Sequence, residues 1–328
     1  MTPTDVLREA RHAVRDARFA DAIEELDRLR DEGTDPGSPE WYLLRAMALW
    51  RLGRFMDSRD TATVALESYR DLGDVDGEMR AGNVAAAGEF ALGALDTAQR
   101  GFERAMHLAE QLKDRQLTAR CANNLGNVAY YRGRHGEALS LYQQASGLFE
   151  RVGSLAGMIE GWHNTGIVLR DEGDLDGAKN ATDRASDAAA RLGDQRLLGM
   201  VLCGRGETDA LRGDPRLGFA HVRRSLDIAR GVGDPLTEIE ALRVSGMIAR
   251  LEHRSQDAIR QAQGAVARAA EIGNPWMIGK AEAELAAAFR DAGREEDADA
   301  AFGRAAEAFS ALGARSRVEA LETERTRG

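Results

Sequence analysis

Apolar and small residues recur at spacings of three and four along residues 119–153, and the recurrence is interrupted at Gly133. Such spacing places these residues on one side of an α-helix, so the stretch predicts two helices joined by a short turn. Nearly the whole chain repeats this pattern, because glycine interrupts it at regular intervals. The predicted architecture is therefore a tandem series of helical hairpins.

Two series of glycines set the period of these hairpins. Within each series the spacing is 40 residues, and the two series are offset by 20. Glycine adopts the left-handed backbone conformation that ends a helix at little cost, so both series predict helix ends. The first comprises Gly33, Gly73, Gly153, Gly193, Gly233, Gly273 and Gly313, with Lys113 in its gap; the second comprises Gly53, Gly93, Gly133, Gly173, Gly213 and Gly293, with His253 in its gap.

Residues typical of helix starts follow many of these glycines. Asp, Asn and Ser side chains accept hydrogen bonds from the first-turn N–H groups, and proline fits the first helical position. The Ser38–Pro39 pair predicts such a start for the third helix. The other predicted caps are Asp74, Asp114, Ser154, Asp174, Asp194, Asp214, Asp234 and Asn274.

Small residues recur with the same period inside the helices, where they let two helices approach closely. They occupy positions 46, 86, 126, 166, 206, 246 and 286 of the first helix of each hairpin. In the second helix they occupy positions 58, 98, 138, 178, 218, 258 and 298, and a third series at positions 65 to 305 is predicted to contact the next hairpin.

These positions resemble the tetratricopeptide repeat family, whose pattern is W-x2-L-G-x2-Y followed by A-x3-F. Leu125-Gly126 followed by Ala138-x3-Tyr142 matches its centre, although the closing proline is missing and each repeat has 40 residues instead of 34. Long repeats of this kind are similar to those of kinesin light chain and of bacterial peptide-pheromone receptors. The resemblance implies an all-α, right-handed α-solenoid of about eight helix hairpins with a C-terminal capping helix. Further matches are Trp162, Ala98-x3-Phe102 and Ala298-x3-Phe302.

The resemblance covers about residues 4–313, and we expect residues 1–328 to form a single domain. A helix-turn-helix that reads DNA is the alternative for residues 4–32, but the acidic second helix, DAIEELD, would face phosphates poorly. The expected parts are an N-terminal hairpin (1–33), a second repeat (34–73), six regular repeats (74–313) and the capping helix (314–328).

Charge and cysteine content narrow the class of partner. The net charge of −10 argues against a nucleic-acid backbone, and the absence of a polybasic run argues against an anionic membrane surface. Cys121 and Cys203 lie far apart, which indicates neither a zinc site nor a disulfide framework. The polar N-terminus lacks the apolar core of a signal peptide, so we expect a cytoplasmic protein.

Patterns typical of catalysis are missing from the sequence. No two of the six histidines lie three or four residues apart, and there is no phosphate-binding loop, nucleophile elbow or HExxH motif. We therefore expect no enzymatic activity, metal or cofactor. Asp171, Glu172 and Asp174 predict a solvated turn capped by Asp174, and Cys203 predicts an inert thiol. Trp276 has two open interpretations, a partner anchor or packing against the Gly273 turn.

One face of the helix over residues 115–132 is rich in amides and tyrosines. Asn123, Asn124, Asn127, Tyr130 and Tyr131 share this face, whereas Leu125 and its apolar neighbours lie opposite. Asparagine costs a helix about 0.5–0.7 kcal/mol relative to alanine, so its repetition indicates a function other than helix formation. In tetratricopeptide arrays the corresponding face lines the concave groove.

We therefore expect a non-enzymatic protein-interaction module that binds an extended peptide or protein segment. Amides can pair with a peptide backbone, aromatic rings can stack on its side chains, and arginines can meet its acidic groups or terminal carboxylate. A peptide-responsive regulator acting on a partner in trans and a self-assembling scaffold are the alternatives, and the sequence leaves the oligomeric state open. The predicted site comprises Arg80, Asn83, Phe90, Arg120, Asn123, Asn124, Asn127, Tyr130, Tyr131, Asn164 and Arg170.

Overall fold

The structure, a computed structural model, describes residues 3–16, 18–31 and 38–326. These residues form seventeen α-helices and contain no strand. Consecutive helices pair as eight hairpins, which α17 follows, so the predicted all-α fold with a capping helix is confirmed. The helices are α1 (Pro3–Arg15), α2 (Phe19–Asp31), α3 (Pro39–Arg51), α4 (Phe55–Asp71), α5 (Val75–Ala91), α6 (Leu95–Gln111), α7 (Arg115–Tyr131), α8 (His135–Arg151), α9 (Leu155–Asp171), α10 (Leu175–Leu192), α11 (Gln195–Leu211), α12 (Pro215–Val232), α13 (Pro235–Leu251), α14 (Ser255–Ile272), α15 (Pro275–Asp291), α16 (Glu295–Ala311) and α17 (Arg315–Thr326).

The chain divides into two compact units, Met1–Asn124 and Leu125–Gly328, here named the N-terminal unit and the C-terminal unit. The boundary falls within α7. That residues 1–328 form a single domain with the parts given above stays a prediction. Gly33, one of the predicted helix ends, lies outside the described residues. No helix in the described ranges is both long enough and apolar enough to cross a membrane.

Every described position of the two glycine series has the predicted left-handed backbone. Twelve glycines between residues 53 and 313 have positive φ angles, from +65° at Gly233 to +97° at Gly213. The two residues that fill the gaps, Lys113 (φ 59°) and His253 (φ 57°), adopt the same conformation although each carries a side chain. The turn geometry is therefore set by the repeat and is kept even where glycine is absent.

Side-chain caps begin most first helices as predicted. Asp74 accepts a hydrogen bond from the Gly77 N–H at 3.0 Å, and the equivalent bonds are present at the other caps. The prediction is wrong in one detail at Ser38, which occupies the N-cap position but makes no side-chain cap bond; Pro39 at the first helical position defines that start.

The small residues lie where the two helices of a hairpin cross. A Cβ added at Gly206 would lie 2.6 Å from the Gly218 carbonyl oxygen, and one at Gly218 would lie 2.5 Å from the Gly206 carbonyl oxygen. At the crossing of α3 and α4 the small residue Ser58 adds a hydrogen bond, because its hydroxyl donates to the Ala46 carbonyl at 2.8 Å. The predicted helix crossings are thus confirmed, and they hold the first helices in a fixed register on the second helices.

Candidate functional site

The predicted site residues lie on α5, α7 and α9, which are the first helices of their hairpins. We name the side of the first helices α5 to α15 that carries these residues and their equivalents at the 40-residue period the first-helix face.

In the N-terminal unit the first-helix face of α5 and α7 is joined by amides. The Asn83 side-chain oxygen accepts hydrogen bonds from Asn124 at 3.1 Å and from the Cys121 thiol at 3.5 Å. Asn83 and Asn123 are buried. These amides therefore link two first helices within the protein.

The predicted arginines of this unit lie at more open positions. Arg80 and Arg120 are exposed, and Arg80 pairs with Asp76 one turn earlier on α5 at 2.8 Å. Phe90 is half-buried. Arg80, Arg120 and Phe90 thus have more solvent-accessible surface than the buried Asn83 and Asn123.

In the C-terminal unit Asn127 bridges three helices. Its side-chain oxygen accepts a hydrogen bond from the Tyr142 hydroxyl on α8 at 2.8 Å and one from the Asn164 amide on α9 at 3.2 Å. The sequence placed this amide on the face opposite Leu125 and its apolar neighbours, yet it reaches Tyr142 of the partner helix. Asn127 and Asn164 are both half-buried, so each has surface left for another contact.

A row of buried and half-buried charges continues across α9, α11, α13 and α15. Glu207 accepts hydrogen bonds from Arg170 at 2.8 Å and from Arg243 at 2.7 Å. Arg243 also contacts Glu240 at 2.9 Å, and Glu240 accepts from Lys280 at 2.7 Å. We name these five residues the charge network. It places three positive and two negative side chains next to one another, so it carries one surplus positive charge.

Burial and pairing act in opposite directions on the charge network. Burial by itself raises the pKa of Glu207, but Arg170, Arg243 and Lys280 hold it far below the usual value. The pKa of Glu240 falls to about 2 because Lys280 and Arg243 outweigh its burial. Burial lowers the pKa of Lys280 in spite of Glu240. The two carboxylates are therefore ionised at neutral pH, and each depends on its cationic partners.

Two polar atoms near this network are buried without a partner among the described residues, Arg170 Nη1 and His163 Nδ1. Both residues are 9 % exposed. Burial, with Arg170 as the second cause, lowers the pKa of His163 to about 4. His163 is therefore neutral at pH 7, and its imidazole lies on α9, two turns before the Arg170 guanidinium.

Aromatic rings from distant hairpins meet beside these charges. Tyr131 stacks on Trp276 with ring centroids 3.8 Å apart, and Tyr130 meets the edge of the same indole at 5.6 Å. Phe309 also meets Trp276 edge to face, with ring centroids 5.3 Å apart. Trp276 is 3 % exposed, so packing is its role in this structure, although its partners are these rings rather than the Gly273 turn.

The capping helix α17 completes this contact with one side chain. Arg317 Nη2 donates to the Tyr130 hydroxyl at 2.7 Å and forms an ion pair with Asp171. Its guanidinium carbon lies 5.5 Å from the Tyr130 ring centroid and 5.4 Å from the Trp276 ring centroid. We name the three residues that surround this guanidinium, Tyr130, Asp171 and Trp276, the Arg317 site.

The remaining predictions about reactive groups concern the two cysteines and the turn at residues 171–174. Burial raises the pKa values of Cys121 and Cys203 to about 12, so both thiols are inert at neutral pH. Asp174 caps α10 as predicted, and residues 171–174 form an exposed turn, in which Asp171 also binds Tyr130 and Arg317. The described residues contain no group of three or more His, Cys, Asp or Glu side chains placed to bind a metal ion.

Comparisons with known proteins point to the same repeat fold. Residues 80–151 match the tetratricopeptide repeat family. A Rap protein complexed with Competence and Sporulation Factor has a similar structure, with a TM-score of 0.66, 14 % identity, and coverage of 99 % of this chain and 96 % of that one. No curated protein matches the sequence.

Two further solved structures are similar. The Rap conjugation gene regulator of plasmid pLS20 in complex with the Phr* peptide has a TM-score of 0.72 and 11 % identity, covering 94 % of this chain and 95 % of that one. The quorum sensor NprR from B. thuringiensis in its apo form has a TM-score of 0.64 and 14 % identity, covering 92 % and 86 %. At these identities the likeness concerns the fold. Residues 80–151 thus match the tetratricopeptide repeat family, and the described hairpins from α3 to α16 repeat the same 40-residue design.

Proposed function

We propose that this chain is a non-enzymatic protein-interaction module that binds an extended peptide on the first-helix face of its C-terminal unit. Asn127 and Asn164 would pair with the peptide backbone, and Arg170 would meet an acidic group or the terminal carboxylate. Tyr130 and Tyr131 would contact its side chains. In the N-terminal unit Arg80, Asn83, Phe90, Arg120, Asn123 and Asn124 remain predicted contacts.

The charge network is the observation that carries this proposal. Replacing a buried ion triad by apolar residues is often neutral or stabilising by about 1–4 kcal/mol, so stability does not account for its presence. The hairpins also do not need it, because other first helices of this chain pack with amides or apolar residues at these positions. A ligand with polar and charged groups gives these side chains a purpose.

The similar structures support a peptide as the ligand. Two are of complexes, one of a Rap protein with Competence and Sporulation Factor and one of a Rap regulator with the Phr* peptide. This likeness also favours the second candidate, a peptide-responsive regulator whose bound ligand alters its contact with a partner protein. A protein partner in the cytoplasm is part of the proposal, since the two free cysteines suit a reducing compartment and the net charge of −10 disfavours nucleic acid.

The test is binding to an arrayed library of synthetic hexapeptides, followed by titration of the tightest peptide. Asn164→Ala is the informative variant, because removing Asn127 would also strip a partner from buried Tyr142. We expect about 5- to 150-fold weaker binding from the loss of one buried hydrogen bond to the ligand.

The matched control is Gln144→Ala, an exposed position on α8. Its affinity should equal that of the wild type, and circular dichroism should show unchanged helicity for both variants. Equal affinity of Asn164→Ala and wild type would place the site elsewhere. A library in which no peptide binds would overturn the proposed function itself.

A further inference from the structure

We propose that the Arg317 site binds an arginine side chain of the peptide ligand, and that Arg317 of the capping helix holds this site as an internal substitute until the ligand displaces it. This inference rests on the proposed function and assigns the ligand a chemical class: a peptide that carries a guanidinium group.

The Arg317 site has the features that recognise a guanidinium. Asp171 supplies a carboxylate, and Tyr130 donates its hydroxyl proton to Asp171 Oδ2 at 2.6 Å while accepting a hydrogen bond from Arg317. The Tyr130 and Trp276 rings lie within cation–π distance of the guanidinium. A planar, weakly hydrated cation suits a carboxylate flanked by aromatic rings better than an ammonium does.

Ionisation of Asp171 is secured by its surroundings. Burial raises its pKa, but the charges of Arg317 and Arg170 and the Tyr130 hydrogen bond hold it below the usual range. Arg170 itself directs Nη2 to Glu207 at 2.8 Å, and the direct ion-pair partner of Asp171 among the described residues is Arg317. Loss of Arg317 would leave the Asp171 carboxyl group without its ion-pair partner in a partly buried site, which favours another cation there.

The hairpins build this site without help from α17. Tyr130 comes from the end of α7, Asp171 from the end of α9 and Trp276 from the first turn of α15. Tyr131 and Phe309 both pack against the indole, and His135 stacks on Tyr130 with centroids 5.8 Å apart. The guanidinium is thus the only part of the arrangement that the terminal helix contributes, and a guanidinium from another chain can take its place.

The terminal helix has a modest hold on the rest of the protein. Leu321 is its one buried apolar side chain among the described residues 315–325, and Val318 is half-buried. Ser316 packs against Gly133, where there is no room for a side chain, and Glu324 and Arg325 form surface ion pairs with Arg290 and Asp299. Elements with few buried contacts open at low free energy, so α17 can leave while the hairpins stay folded.

Competition between Arg317 and the ligand defines the experiment. When an internal group fills the site, only the molecules in which the site is free can bind the ligand. The apparent affinity is reduced in proportion to that fraction, so removing the internal group should tighten binding. The probes are an arrayed hexapeptide library with one fixed arginine and a matched library with citrulline, which keeps the shape of arginine but not its charge. Each is titrated against wild type, Arg317→Ala, Arg317→Gln, Asp171→Asn and Arg315→Ala.

We expect Arg317→Ala and Arg317→Gln to bind arginine peptides at least about tenfold more tightly than wild type does. Arg315→Ala, which removes an exposed arginine of the same helix outside the site, should match the wild type. Asp171→Asn should lose the preference for arginine over citrulline. Hydrogen exchange of residues 315–326 should accelerate when an arginine peptide binds the wild type and should not change with the citrulline peptide.

Several outcomes would overturn the inference and leave peptide binding intact. They are an unchanged affinity in both Arg317 variants, an equal affinity for arginine and citrulline peptides, or an arginine preference that survives Asp171→Asn. If no peptide of either library binds any variant, the proposed function fails and the inference fails with it. Circular dichroism identifies a variant that has unfolded, and the two Arg317 substitutions provide independent measurements.

Discussion

The first-helix faces of the two units differ in the side chains that join neighbouring first helices. In the N-terminal unit α5 and α7 meet through neutral amides, with Asn83 bonded to Asn124. At the positions 80 and 160 residues after Asn83, the C-terminal unit has His163 and Arg243, and Arg243 belongs to the charge network. The hairpins keep the same turns and helix crossings in both units. The framework therefore leaves the chemistry of this face free to serve a ligand.

The largest expected difference between the two faces follows from deleting one polar partner in each. Glu207→Ala leaves Arg170 and Arg243 buried without their shared carboxylate and should lower the free energy of unfolding by about 3–5 kcal/mol. Asn83→Ala leaves only neutral groups unpaired and should cost about 1–3 kcal/mol. Urea unfolding monitored by circular dichroism measures both. Equal losses would show that the two faces do not differ in their dependence on charge.

Acid should destabilise the protein through the C-terminal unit. The folded-state pKa of His163 is about 4 against an ordinary 6.5, so the unfolded state binds more protons between these values and stability falls as the pH drops from 6.5 to 4. Glu240, with a pKa near 2 instead of 4.5, loses its contribution as the pH falls from 4.5 to 2.

The His163→Asn variant isolates the first of these windows. It carries the amide found at the equivalent position of the N-terminal unit and cannot titrate. Wild type should lose about 3 kcal/mol between pH 6.5 and 4 that this variant keeps, and the two should lose stability in parallel below pH 4. Urea unfolding at a series of pH values makes the comparison. Parallel profiles over the whole range would contradict the burial of a neutral imidazole.

Glycine positions in first helices should respond in opposite directions in the two units. Gly206→Ala places a Cβ against the Gly218 carbonyl, and we expect a loss of about 1–3 kcal/mol from overpacking. Gly82→Ala in α5 meets only a Leu66 methyl group at 3.8 Å, so the better helix propensity should add about 0.5–1 kcal/mol. Thermal melting resolves the two signs. A stabilised Gly206→Ala would mean that the helix crossing relaxes freely.

The smallest expected effect concerns the left-handed turns that both units contain. Lys113 in the N-terminal unit and His253 in the C-terminal unit hold left-handed turns at a steric cost that glycine avoids. Lys113→Gly and His253→Gly should each stabilise the protein by about 0.5–1 kcal/mol, because the relief exceeds the added flexibility of the unfolded chain. Similar gains in melting temperature would confirm a common turn. A loss in either variant would mean that its side chain makes a contact worth more than the strain.

Periodicity was sufficient to predict the fold. The glycine spacing located each turn, including those at Lys113 and His253, because a helix end depends on local backbone conformation. The candidate site was less predictable. Tyr131 and Trp276 lie 145 positions apart, and a repeat pattern compares equivalent positions without showing which distant side chains meet.

Some signals for the site were present in the sequence all the same. Glu207 and Arg243 interrupt positions that mostly carry amides or apolar residues elsewhere, which marks a change of chemistry but does not identify the pairs. Arg317 lies in a polar segment with nothing to single it out. Its contact with Tyr130 and Asp171 depends on the arrangement of the whole C-terminal unit, so it emerges only from the structure.

The measurement that tests the central claim most directly is to replace the shared triad as a whole. In the triple variant Arg170→Met/Glu207→Leu/Arg243→Met the Glu240–Lys280 pair remains at 2.7 Å, and no charge loses its only partner. We predict a free energy of unfolding equal to that of wild type or about 1–4 kcal/mol higher, together with loss of binding to the hexapeptide selected on the wild type. A variant that binds this peptide with wild-type affinity would contradict the claim that the buried charges of the C-terminal unit serve a ligand.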